Sequence, residues 1–119
     1  MIIRIWHGWT MPENADAYER LLRDEIFRGI AGRAIPGYRG IELFRRVDGG
    51  EVEFVTLMRF DSLEAVRAFA GDDYEAAVVP ARARELLRRF DARSAHFDRR
   101  PIDPLESGTR AGTLEEGSV

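Results

Sequence analysis

Residues 51–69, EVEFVTLMRFDSLEAVRAF, run from Glu51 to Phe69 and carry a strand almost directly into a capped helix. Side chains alternate along a strand, so Val52, Phe54, Met58 and Phe60 point one way and Val55 and Leu57 the other. A sheet wetted on one face would alternate apolar with polar residues instead. Both faces of this sheet therefore need a cover, and the chain has helices for only one. A second copy of the same sheet is the simplest remaining cover, which predicts a homodimer joined through sheet faces.

Working outward, Ile2 to Trp9 has the β-branched and aromatic content of a strand. Ile3, Ile5, His7 and Trp9 share one face; Ile2, Arg4 and Trp6 share the other. Thr10-Met11-Pro12-Glu13 has the form of a capping box. A helix is expected from there to about Gly29, buried along Tyr18, Leu21, Leu22, Ile26 and Ile30. Pro36-Gly37 marks a turn, and Gly40 to Val47 reads as a strand with Ile41, Leu43 and Val47 on one face. Asp48-Gly49-Gly50 signals a tight hairpin. Asp61 or Ser62 caps the next helix, which buries Leu63, Val66, Phe69 and Ala70. A further amphipathic stretch carries Val79, Ala83, Leu86, Leu87 and Phe90, and Ala92 to Asp98 reads as a short last strand.

The order strand, helix, strand, strand, helix, strand predicts an α+β, ferredoxin-like split βαβ fold. Its four-stranded antiparallel sheet has strands one and three in the centre and both helices on one face. Residues 1–98 form the expected domain. Residues 99–119, rich in Pro, Gly, Ser, Thr and Glu, read as a C-terminal tail that is flexible or packed on a partner.

The chain has 119 residues, enough for one domain. A formal net charge of −3 gives no electrostatic reason to bind nucleic acid or an anionic membrane. Cysteine is absent, which excludes disulfides, thiolate metal sites and cysteine nucleophiles. No signal peptide is visible and no apolar run approaches a membrane span, so a cytoplasmic location is expected. Nucleotide-cradling glycine motifs are missing, and strand three lacks the basic, aromatic motif of RNA-recognition modules.

His7 and His96 are the only histidines. They fall in the first and last strands, which neighbour each other in this fold. A register pairing residues that sum to about 103 sets the imidazoles opposite each other; a one-residue slip turns them to different faces. Either is a candidate base near neutral pH, and either reads equally as a structural histidine. Two histidines make a poor metal site, so neither metal nor cofactor is expected. Trp9, Tyr18, Tyr38, Phe54 and Phe69 are candidate residues for binding a flat aromatic ligand, or ordinary core. Arg4 and Arg59 fall within central strands and need carboxylate partners, for which Glu42, Glu53 and Asp98 are available.

The opening IIRIWHGW, the PGYRG turn, the DGG hairpin and VTLMRFDSLEAVRAFAG resemble the antibiotic biosynthesis monooxygenase family over about residues 1–98. That resemblance implies a dimeric α+β barrel, with two sheets packed face to face. It further implies oxidation of a small phenolic or quinol-like aromatic by molecular oxygen without cofactor, with His7 or His96 as base. Haem-degrading members of the same superfamily carry an iron-binding histidine near Val79 and Pro80, and neither of these residues ligates a metal. A domain of the same fold that binds a small apolar molecule without turning it over, or serves as a structural dimer, is the alternative.

Overall fold

The computed structural model describes residues 1–102, and the expected tail therefore lies almost wholly outside the described residues. Strand β1 (Ile2–Thr10) is followed by helix α1 (Pro12–Leu21), a π turn (Leu22–Ile26) and helix α2 (Phe27–Gly32). Strands β2 (Tyr38–Asp48) and β3 (Glu51–Phe60) form a hairpin. Helix α3 (Leu63–Ala70), helix α4 (Ala81–Leu86) and the short strands β4 (Leu87–Phe90) and β5 (Ala95–Asp98) complete the chain. The sheet is antiparallel in the order β2-β3-β1-β4, with β5 also paired to β1. Strands one and three are central, as the ferredoxin-like reading requires, and the fourth position is shared by two short strands end to end.

That sharing corrects the expected last helix. Leu87 to Phe90 continue the apolar stripe of α4 on paper, yet they leave the helix and pair with Gly8 to Thr10. Hydrogen-bonding an otherwise bare strand edge outweighs one more helical turn. The capping box is also corrected: Met11 precedes the helix without a side-chain cap, and Pro12 begins it. Thr10 remains the end of β1, opposite Val52, where its hydroxyl is buried. Pro suits the first helical position because its missing N–H has no intrahelical partner there.

The DGG hairpin forms as expected, with Gly49 at φ +61° and Asp48 opposite Glu51. Ser62 caps α3 by accepting from the Ala65 N–H at 3.2 Å. Replacing Ser62 with Ala should cost about 1 kcal/mol in urea unfolding; a loss below ~0.3 kcal/mol would show that the exposed helix end is equally well served by water.

Pairing fixes the two faces. Arg4, Trp6, Gly8 and Thr10 lie level with Met58, Thr56, Phe54 and Val52 beneath the helices. One core cluster joins Ala15, Tyr18 and Leu22 to Val52, Phe54 and Ala83. A second joins Ala65, Val66 and Phe69 to Met58, Phe60 and Ile35. The opposite face carries Ile3, Ile5, Val55 and Leu57, all half-buried, beside Phe44 and Phe97, which are 48% and 54% exposed. No described helix covers this apolar face. No described helix is long and apolar enough to cross a membrane.

Candidate functional site

A cavity lies where the two core clusters meet, between the helices and the sheet. Leu22 and Ile26 line it from the π turn, with Tyr18 before them and Phe27 and Ile30 after. In that turn the Phe27 N–H reaches the Leu22 carbonyl five residues back. The extra residue widens one turn, so inward-facing side chains from before and after it line one space. The sheet supplies Arg4, Trp6, Ile41, Thr56 and Met58; α3 supplies Phe69, and the segment before β5 supplies Ser94.

The space measures about 60 Å³ by the positions open to a water-sized sphere. That holds several waters, but is smaller than the ~150 Å³ that encloses a benzene ring. A ring can enter with one end in the mouth, marked by Val78 and Pro80, or with the wall displaced. Phe27 and Ile41 also line a broader groove with Glu19, Arg23 and Arg45. They form a shared partition between groove and cavity.

Arg4 is the principal polar group in the cavity and is 3% exposed. Its guanidinium donates to the carbonyls of Tyr74 and Ala76 and to His96 Nε2 at 3.0 Å, and lies 5.4 Å from the centre of the Phe69 ring. No carboxylate pairs with it among the described residues, against the sequence expectation. Arg59 does pair with Glu42, at 2.7 Å. Burial lowers the Arg4 pKa to about 10, so it remains a cation at neutral pH. Trp6 donates its indole N–H to the Asp91 carbonyl at 2.7 Å. Its ring lies against Gly8, where a Cβ would stand 2.8 Å from a ring carbon, and this closeness requires glycine. Ser94 is 5% exposed, and its hydroxyl has no hydrogen-bond partner among the described residues. Burial raises the Tyr18 phenol well above its ordinary pKa, so it stays protonated.

The two histidines do not meet. Arg4 pairs with His96 across β1 and β5, a register sum of 100, three residues from the one that would align His7 with His96. Because β4 occupies the Gly8 to Thr10 end of the β1 edge, β5 meets only Ile2 to Ile5. An odd offset places the histidines on opposite faces. His96 lies on the helix side. It accepts from Arg4, so its proton sits on Nδ1, and burial followed by the Arg4 charge lowers its pKa. His7 lies on the open face. Its Nδ1 donates to Glu53 Oε2 at 2.6 Å, while Arg46 Nε donates to the other oxygen at 2.6 Å. The His7 bond and then Arg46 hold the Glu53 carboxyl below its ordinary pKa, against the opposing effect of burial.

Of the candidate aromatics, Tyr18 and Phe69 line the cavity. Phe54 is fully buried beside it, edge-on to Tyr18 at 4.9 Å. Tyr38 packs on Phe60 at 5.7 Å. Trp9 lies on the open face beside His7, 6.1 Å between ring centres, with the Arg89 guanidinium 3.9 Å from its ring centre. Sequence reasoning missed Thr56 and Ser94 as cavity residues and assigned Arg4 to an ion pair. An arginine in the middle of an otherwise apolar strand face was the available signal for Arg4; Ser94 sits in a short unpatterned segment that offers none.

These features define a ferredoxin-like α+β domain with a small, largely apolar cavity under its helices. Solved structures of similar fold include Rv0793 from Mycobacterium tuberculosis, 27% identical, covering 86% of this chain and 95% of that one at a TM-score of 0.53. An antibiotic biosynthesis monooxygenase is 20% identical, covering 85% of this chain and 100% of that one at a TM-score of 0.55. No family model and no curated protein matches the chain. The shared fold supports the resemblance read from the residues.

Proposed function

We propose that the protein is a cofactor-independent monooxygenase acting on a small phenolic or quinol-like aromatic held in the cavity beneath the helices. The observation that carries this reading is the cavity itself: aromatic and aliphatic walls around a buried cation, in a fold shared with a monooxygenase. The chemistry balances without a further reductant. A phenol with a free ring position, or an anthrone with a CH2 group, gives four electrons to one O2; one oxygen atom becomes a carbonyl and the other leaves as water. The protein's work is to remove a proton, steady the resulting anion and exclude solvent.

Phe69 and Trp6 flank the ring in this reading, and protonated Tyr18 donates to it. His96 stands behind Arg4 and is kept neutral by burial and the Arg4 charge; its Nε2 takes the substrate proton once the Arg4 N–H that occupies it turns to the phenolate. His7, oriented by Glu53, is the acceptor available on the other. Oxygen uptake with a hydroquinone or anthrone should fall by about 100-fold or more in the His7→Ala, His96→Ala double variant, and the His96 single variant should account for the loss. Unchanged uptake in the double variant removes both histidines from the chemistry. Ligand-dependent stabilisation without any oxygen uptake would favour the non-catalytic binding domain.

The working unit in this reading is a homodimer in which the open sheet faces cover each other. Ile3, Ile5, Val55 and Leu57 form its apolar centre, with the His7–Glu53–Arg46 and Arg59–Glu42 groups around them. Self-association follows from the apolar content of a face that no described helix covers.

A further inference from the structure

We propose that Arg4 and Ser94 form an oxyanion subsite, where the ionised oxygen of a phenol or enol rests against the guanidinium and accepts from the Ser94 hydroxyl. This rests on the placement of substrate in the cavity given above, and it adds a requirement: the ligand must carry an acidic oxygen.

Both side chains are more than nine-tenths buried and both line the cavity. A guanidinium has five N–H groups. Those of Arg4 meet three acceptors, two carbonyls and a neutral imidazole, and none of these carries negative charge. Among the described residues, two of its N–H groups meet no acceptor and its positive charge no paired carboxylate. A buried charge without a counter-ion is costly, and an entering anion relieves that cost where a neutral ligand does not. Ser94, with no partner among the described residues, supplies the second donor.

None of the surrounding described titratable groups supplies Arg4 with a counter-charge by direct pairing. Tyr18 remains protonated through burial, and His96 is neutral and already bound to Arg4. Glu75, the carboxylate whose charge acts on His96, is paired with Arg93 at 3.1 Å. Arg59 and Glu42 lie on the other face and satisfy each other.

The test is spectroscopic and needs no turnover. 4-Nitrophenol is colourless as the acid and yellow as the anion, and is too electron-poor to be oxidised readily. Bound to the protein, its ionisation midpoint should fall by about one pH unit or more. Its methyl ether should bind at least about tenfold more weakly. In Arg4→Met the midpoint should rise above that of the free phenol, because burial alone favours the neutral form. Arg4→Lys should retain the downward direction. Ser94→Ala, a small change that leaves the buried arginine intact, should weaken binding about three- to tenfold. The proposal is overturned by an unchanged or raised midpoint with the unaltered protein, by equal binding of the ether, or by no binding at millimolar ligand. A lowered midpoint without oxygen uptake from electron-rich phenols keeps the subsite and removes the monooxygenase reading; uptake with no midpoint shift does the reverse.

Discussion

Leu57→Arg is expected to leave a folded monomer. Leu57 lies in central strand β3 opposite Ile5, on the face away from the helices, so in a single subunit its side chain is only half-buried. An arginine there reaches water in the monomer and disturbs none of the core around Phe54 or Phe60. In a dimer closed through these faces it would be pressed into the apolar centre, where its cross-strand neighbour Glu42 is already paired with Arg59. A two-fold interface presents every substitution twice. Central contacts of this kind are worth about 2 kcal/mol or more each, so the dissociation constant should rise roughly a thousandfold. Sedimentation at micromolar concentration gives the reading: a dimer for the unaltered protein, a monomer with an unchanged far-ultraviolet spectrum for the variant. A variant that remains dimeric places the interface elsewhere, and an unaltered protein that sediments as a monomer removes the dimer altogether.

Phe54→Ala is expected to have the largest effect on stability. Phe54 is fully buried. It meets the Tyr18 ring edge-on at 4.9 Å, and the Arg45 guanidinium lies 5.3 Å from its ring centre on another side. Removing the ring loses its transfer free energy and leaves a void beside an existing cavity, where a sheet and a helix restrict collapse. The expected loss is about 3–5 kcal/mol, or a fall in melting temperature of more than roughly 10 °C. The comparison needs equal subunit concentrations, since association adds to apparent stability. A loss below ~1 kcal/mol would show that Tyr18 and the neighbouring side chains close over the gap.

The strands were legible because period-two patterning marks both faces independently: Val52, Phe54, Met58 and Phe60 on one side, Val55 and Leu57 on the other. The Asp48-Gly49-Gly50 hairpin and the Ser62 cap were legible because the chemistry of each is local. Thr10 and Leu87 were misread because each carries a sound local helix signal that loses to sheet pairing. Thr10 pairs with Val52 and Leu87, and those partners are distant in sequence. The histidine register stayed open in the sequence for the same reason, since nothing near His96 reveals that β4 has taken half of the β1 edge. Tyr18 and Phe69 were readable as cavity residues through their places on helix stripes. Trp6 and Ser94 depend on how the Asp91 to Ser94 segment folds back on β1. Arg4 was visible in the sequence as a charge in a greasy strand; that it has no described counter-ion is a property of the assembled fold.

The widened turn at Leu22–Ile26 means that the helical arm is one residue longer than the distance it crosses. Winding the same residues at ordinary pitch would turn everything downstream by up to about 100° around the axis, carrying Phe27 and Ile30 away from Arg4. A change in pitch alone, with every lining residue retained, would therefore recast the chamber's shape and the partition that separates it from the outer groove.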